Sequence, residues 1–378
     1  MVVGRVQVTL VVVLAAATVL TVRATASRAP GPVASALECR QLLARTPAPT
    51  SRPQLVPPAQ LVDVVSAFVE RSVPDGQRYV FPTAAERTRF QCGFQYAASL
   101  RLANAQRMLQ PLGYDVKLMR DAGVPGRPQL IVLEERKSAG RYPHAWGLYV
   151  IAARTALPVV AVEVPHQCRS TARCNEVGGD RRTHTMGVTT FERSRAKYLF
   201  VAGTDRGAPA AGCPEPPCSA DVAHEPASMF EAVHEAALAP RLFLLPARRV
   251  YQPHGFATGN HPASCREVVV SAGLEPKATT RLARRIAGAL NEDPSDVYGG
   301  KVLRFGQDVS PADGRVDCST QDDPTGGLGA TTNVQGRFAS GLRPQRDFIS
   351  VESSQNVRNL AAERDALSDT VGRVLRTR

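Results

Sequence analysis

The chain reads as an α/β protein, a three-layer α/β/α sandwich around a mostly parallel mixed sheet. Three observations predict this. Short apolar runs recur from Trp146 onward, and segments with apolar residues three and four apart lie between them, which is the helical period. The apolar runs are continuous rather than alternating, as strands covered on both faces are. With 378 residues, 43% of them hydrophobic and 21% charged, the chain can fill a large core, and global disorder is excluded.

The N-terminus comes first. Arg5 precedes the run VQVTLVVVLAAATVLTV, and Arg23 with Ala24-Thr25-Ala26 follows it. A basic start, a short apolar stretch and an A-x-A site predict a signal peptide over residues 1–26, cut after Ala26. The protein is then secreted, and its contact with a membrane is transient. Residues 27–58 hold APGP, TPAPT and VPP and read as an extended Pro/Ala-rich leader pinned at Cys39.

A single α/β domain is expected over 59–378, with a helical and strand portion at 59–140 and the chemistry-bearing portion at 141–378. One long helix should carry Phe90, Phe94, Ala98, Leu102, Ala105 and Leu109 and stop at Pro111 and Gly113. Strands are expected at 114–119 and 129–134, then at 148–152, 159–164, 198–202, 249–252, 267–271 and 348–351. A helix begins at Ser228, where S-x-x-E with Glu231 forms a capping box. Another presents Leu282, Ile286 and Leu290 on one face, and the last spans 357–375. The Gly/Asp/Thr-rich stretch 309–337 reads as a long functional loop.

Eight cysteines in an exported chain predict disulfides. Cys168/Cys174 and Cys213/Cys218 would close small loops, while Cys39/Cys92 and Cys265/Cys318 would be long-range staples. No C-x-x-C pair exists, which argues against thiolate metal ligation.

Lys and Arg number 46 against 34 Asp and Glu, a net charge of +12. That favours an acidic partner. The excess is spread along the chain rather than blocked, so no nucleic-acid partner is expected. An acidic peptide or a cell-wall-type polymer suits the charge better.

There is no H-E-x-x-H, G-x-S-x-G, phosphate-binding loop or G-x-G-x-x-G, so common hydrolase and nucleotide signatures are excluded. Polar groups at strand ends remain. His166 closes PVVAVEVPH, His254 closes VYQPH and Glu352 closes FISVE. Sites in open α/β sheets gather outside the carboxyl ends of strands. A catalytic zinc ion (Zn2+) takes about three His and carboxylate ligands plus a water. His166 and His254 are candidate ligands. The third is Asp180 or Glu176, with Asp180 preferred because it precedes Thr183 in D-R-R-T. Glu352 is the candidate catalytic acid or base. Arg206, in AGTDR, is a candidate fork for a substrate carboxylate. His224, ending DVAH, and Asn333 complete the candidate substrate contacts. His234 reads as a core-edge residue and Trp146 as packing at the start of the second portion.

The segments WGLYVI, PVVAVEVPH, D-x-x-T followed by M-G, AGTDR, DVAH, F-x-x-x-H and YQPHGF together resemble secreted zinc amidohydrolases of the N-formylglutamate amidohydrolase and poly-γ-glutamate hydrolase type. These are similar in plan to zinc carboxypeptidases. The resemblance covers about Trp146 to Arg358. It implies one zinc ion, cleavage of an amide next to a carboxylate, His166 and His254 as ligands with an acidic third, and Glu352 as the catalytic carboxylate. The chain departs from the pattern where Gln-Cys-Arg follows His166, so the carboxypeptidase H-x-x-E is missing, and 167–179 looks like an insertion. Two functions are therefore expected to compete: an exported zinc-dependent amidohydrolase, and a secreted protein that grips anionic wall polymer without chemistry.

Overall fold

A computed structural model of the protein describes residues 33–72, 78–124, 126, 129–154, 156–167, 180–212, 219–242, 244–256, 268–273, 280–291, 303–304, 330, 332–342 and 346–377. In chain order its elements are α1 (Ala36–Arg45), β1 (Gln54–Leu55), α2 (Leu61–Ser72), β2 (Tyr79–Val80), α3 (Ala84–Ala98), α4 (Leu102–Leu109), β3 (Tyr114–Met119), β4 (Leu130–Glu135), β5 (Leu148–Ala152) and β6 (Val160–Val164). The second half adds α5 (Thr183–Ser194), β7 (Tyr198–Val201), β8 (Ala210–Ala211), α6 (Met229–Leu238), β9 (Arg249–Phe256), β10 (Val268–Ser271), α7 (Arg281–Asn291), β11 (Leu303–Arg304), α8 (Val334–Gly341), β12 (Asp347–Ser354), α9 (Gln355–Asn359) and α10 (Ala361–Arg376).

The main sheet runs β1-β3-β4-β5-β7-β6-β9-β12-β10-β11. Its centre, β7-β6-β9-β12, is parallel, while β3, β4, β5 and β7 pair antiparallel, as do β10 and β12. The central strands are apolar along their length because helices cover both faces. On one face Phe90, Phe94, Phe200, Phe230, Val250 and Phe348 join one core, to which α3, α4 and α6 contribute. On the other, Val162, Val164, Met186, Phe191, Tyr251 and Val351 join a second, to which α2, α5, α7 and α10 contribute. The two cores on opposite faces are the three-layer sandwich. Leu282, Ile286 and Leu290 of α7 are buried, as their spacing predicts.

Several expectations need correcting. The leader is not extended throughout: α1 starts at a full capping box, with Ser35 Oγ accepting from Glu38 N–H and the Glu38 carboxylate accepting from Ser35 N–H. Cys39 of α1 is bonded to Cys92 of α3, which fixes the helix against the core. The long helix through Phe90 and Leu109 is two helices, because Leu100 takes a left-handed backbone with φ 62°. The last helix breaks likewise at Leu360, which sits extended ahead of α10. The Ser228 capping box is half made: Ser228 Oγ accepts from Glu231 N–H, but the Glu231 carboxylate turns inward to accept from Gln335 Nε2 at 2.8 Å. Strands β9 and β12 continue past 252 and 351, so His254 and Glu352 lie within them rather than after them. Cys168, Cys174, Cys213, Cys218, Cys265 and Cys318 lie outside the described residues, as does Glu176. Among the described residues no helix is long and apolar enough to cross a membrane.

Candidate metal centre

The site lies at the carboxyl ends of the parallel strands, where an open α/β sheet leaves a crevice. β6 ends at Val164 and delivers His166. α5 packs close on β6 because residue 187 is glycine; a Cβ there would run into the Val164 side chain. That approach brings Asp180, just ahead of the helix, beside His166, and Thr183 Oγ1 lies 2.7 Å from the carbonyl oxygens of both. Gly255 N–H donates to Asp180 Oδ1 at 2.9 Å, which aims Oδ2 away from the strand.

His166, Asp180 and His254 form a candidate metal-binding group: one ligand atom from each lies within 4.8 Å of the others. All three are buried, at 2%, 1% and 5% exposure. His254 Nδ1 is 3.2 Å from His166 Nδ1, and His166 Nδ1 is 3.4 Å from Asp180 Oδ2. The far nitrogens are spoken for. His166 Nε2 donates to Asp221 Oδ1 at 2.6 Å, and His254 Nε2 lies 3.1 Å from Gln252 Oε1. Each ring therefore turns Nδ1 toward the shared space and anchors Nε2 behind it, the arrangement in which a second partner fixes a metal-binding imidazole.

Burial and neighbouring charges shift the titratable groups of the site strongly. Burial opposes the charged form of His166, but Asp221 and Asp180 outweigh it and push its pKa up to about 10. Burial and the neighbouring His166 push His254 down to about 3. Burial alone would raise Asp180 and Asp221, yet His166 holds both carboxyls well below the usual carboxylate range. Burial, then the charge of Asp180, push Glu352 up to about 8, and the residue is half-buried.

Arg206 stands over the group. One terminal guanidinium nitrogen is 3.3 Å from Asp180 Oδ2 and 3.4 Å from His166 Nδ1, while the side chain remains 42% exposed. His224 is also exposed, with Nδ1 3.1 Å from Asp221 Oδ2 and Nε2 3.1 Å from Thr332 Oγ1. It forms a second candidate group with Asp221 and His166. Asn333 is 2% exposed, and its amide is engaged inside the protein: Oδ1 accepts from Gly336 N–H and Nδ2 donates to Gln252. It reaches the histidines only through Gln252. Arg358 is fully buried and donates to the carbonyls of Ser353, Phe256 and Arg181.

Sequence reasoning missed Asp221 and Gln252. Both had a signal: Asp221 stands three residues before His224, and Gln252 stands two before His254, which in a strand means the same face. His234 is not at the core edge but wholly buried, with Nδ1 2.7 Å from Glu163 Oε1.

No family model matches the chain, and no curated protein does. Solved structures give distant likenesses. N-formylglutamate amidohydrolase from Ralstonia eutropha JMP134 aligns at 13% identity over 61% of this chain and 96% of its own, with a TM-score of 0.37. A metallo-carboxypeptidase from Pseudomonas aeruginosa, in complex with (2-guanidinoethylmercapto)succinic acid, aligns at 12% identity over 66% of this chain and 60% of its own, with a TM-score of 0.31. At such identities no residue role passes from either protein to this chain.

Proposed function

We propose that the protein is an exported zinc-dependent amidohydrolase or peptidase that cleaves an amide bond next to a carboxylate, in a γ-glutamyl or peptidoglycan-type substrate. The observation that carries this reading is the donor set: two imidazole Nδ1 atoms and one carboxylate oxygen converge while each imidazole is anchored from behind. Their separations of 3.2 and 3.4 Å suit a tetrahedral zinc ion, whose ligands at ~2.0–2.1 Å stand about 3.4 Å apart. His166, Asp180 and His254 would hold the ion, which would supply a Lewis acid and acidify a water.

The chain's own residues do the rest. Glu352, side by side with His254, takes the proton of the attacking water and passes it to the leaving nitrogen. Its raised pKa near neutrality suits a group that must both gain and lose a proton. Arg206, exposed at the mouth, pairs with the substrate carboxylate, and His224 lies beside it on Asp221. The net charge of +12 favours an acidic polymer as the source of substrate. The Cys39–Cys92 disulfide supports an oxidising compartment.

Metal analysis of the purified protein beside His166→Ala and His254→Ala tests the reading, with hydrolysis of N-formylglutamate, γ-glutamyl amides and muropeptides followed in parallel. One zinc per chain in wild type, lost in both variants, with turnover of one of these amides, is the expected result. Zinc without turnover points to the polymer-binding role, and no zinc ends the metalloenzyme reading.

A further inference from the structure

Behind the metal-ligand candidates lies a buried polar layer. Gln252 stands at its centre, 0% exposed, with four neighbours around its amide. Oε1 is 2.7 Å from Asn333 Nδ2 and 3.1 Å from His254 Nε2. Nε2 is 2.9 Å from Glu163 Oε2 and 3.3 Å from Gln335 Oε1. An amide offers two acceptor sites and two donors, so this one is saturated.

The direction of every bond in the layer follows from two backbone groups whose character is unambiguous. Gly336 N–H can only donate, and it lies 2.9 Å from Asn333 Oδ1 at the start of α8. The other end of that amide must therefore be the NH2, which donates to Gln252. The Val222 carbonyl can only accept, and it lies 3.0 Å from Gln335 Nε2. The oxygen of Gln335 must therefore face Gln252 and accept from it. Both constraints put the Gln252 oxygen toward Asn333 and His254 and its NH2 toward Gln335 and Glu163. The Glu163 carboxylate, held by His234 Nδ1 at 2.7 Å, accepts there as well. One bond remains: the Gln252 oxygen facing His254 Nε2 can only accept, so His254 must carry its hydrogen on Nε2 and present a bare Nδ1.

We propose that Asn333, through Gln252, is a positioning residue that sets the tautomer of His254 and so keeps its Nδ1 free for a metal ion. The helix cap at α8 thereby writes the protonation pattern of a ligand on β9, two bonds away. The inference rests on the metal-centre reading for its purpose, but the tautomer itself does not depend on it.

The test is 15N NMR of the full chain labelled at histidine, with long-range 1H–15N correlations that separate the Nε2–H from the Nδ1–H form. The His254 signals are identified by their loss in His254→Asn. Wild type should show the Nε2–H form at neutral pH, and so should His166→Ala, which removes the other neighbour of Nδ1. Asn333→Asp retains an acceptor for Gly336 N–H but turns a carboxylate oxygen on the Gln252 oxygen. It should introduce the Nδ1–H form and weaken zinc binding, read by competition with a chelator, about 10–100-fold, the usual effect of losing such a support. An Nδ1–H form of His254 in wild type or in His166→Ala overturns the proposal. So do an unchanged tautomer and unchanged zinc affinity in Asn333→Asp. If Asn333→Asp does not fold, wild type and His166→Ala still decide. If wild type binds no zinc, the metal reading fails while the tautomer result stands on its own.

Discussion

Glu352 is the register partner of His254: the two residues sit side by side on adjacent parallel strands β12 and β9. Paired residues of a parallel ladder point to one face, about 4.8 Å apart. A carboxyl group is thus placed next to a candidate ligand by backbone pairing alone. Glu352→Gln should leave zinc content and thermal stability unchanged and lower kcat roughly 10²–10⁴-fold. Metal analysis and steady-state kinetics on one preparation check this. Activity at the wild-type level would make Glu352 structural.

Arg206 presses a positive charge against Asp180 and His166, where a metal ion would also sit. Its removal should help the metal and hurt the substrate. Arg206→Gln should bind zinc more tightly, by several-fold, and raise KM for a carboxylate-bearing substrate about 10–100-fold, the equivalent of ~1.5–3 kcal/mol for a charged hydrogen bond. Zinc titration and a comparison of substrates with and without the carboxylate separate the two effects. A KM that rises equally for both would refute the assigned contact.

With His166 pushed up to about 10, the ring is protonated at pH 7, whereas a metal ion requires it neutral. Zinc binding should therefore release about one proton, and affinity should climb roughly tenfold per pH unit toward pH 10 before levelling. Calorimetry in buffers of different ionisation enthalpy counts the proton. A count near zero at pH 7 would contradict the charge state derived for His166.

Much of this was legible in the residues themselves. The apolar runs of β5 and β6 and the 3–4 spacing in α7 have single physical solutions, so those elements stand where the pattern puts them. His166 and His254 could be gathered because strand ends in such sheets share one side, and Asp180 because it precedes Thr183 in D-R-R-T. The breaks at Leu100 and Leu360 could not be read, since each apolar spacing continues across them and only a local backbone turn interrupts the helix. Gln252 was hidden, and Asn333 was read as a substrate contact, for a different reason. Hydrogen-bond direction depends on which backbone groups meet them, and that is fixed only by the packed α8 and β9.

Lys197 is 9% exposed and donates to the Ala152 carbonyl at 2.6 Å. Burial lowers its pKa from 10.5 to about 8. Between those values the unfolded chain holds more protons than the folded one, so stability from this group rises as pH goes from about 8 to 10.5, by about 3 kcal/mol at most. Lys197→Met should flatten that rise. Urea midpoints of both proteins across the window provide the comparison, and parallel curves would rule the assignment out.

Cys39 and Cys92 are 53 residues apart in sequence. Cross-linking a loop of that length restrains the unfolded chain by about 4 kcal/mol. The double variant Cys39→Ala, Cys92→Ala should lose stability of that order in denaturant titration, with zinc content unchanged because neither cysteine is among the metal-ligand candidates. Loss of zinc in a folded double variant would tie α1 to the site.

The glycine at 255 bears on how this protein can change. A Cβ there would collide with the guanidinium of Arg358, and the backbone N–H at the same position steadies Asp180. Residues 180, 255 and 358 thus form a set in which no member can drift alone. Arg206 and His224, by contrast, stand 42% and 45% exposed. A substitution at 255 therefore has to be answered at 358 and felt at 180, whereas one at 206 or 224 meets mostly solvent.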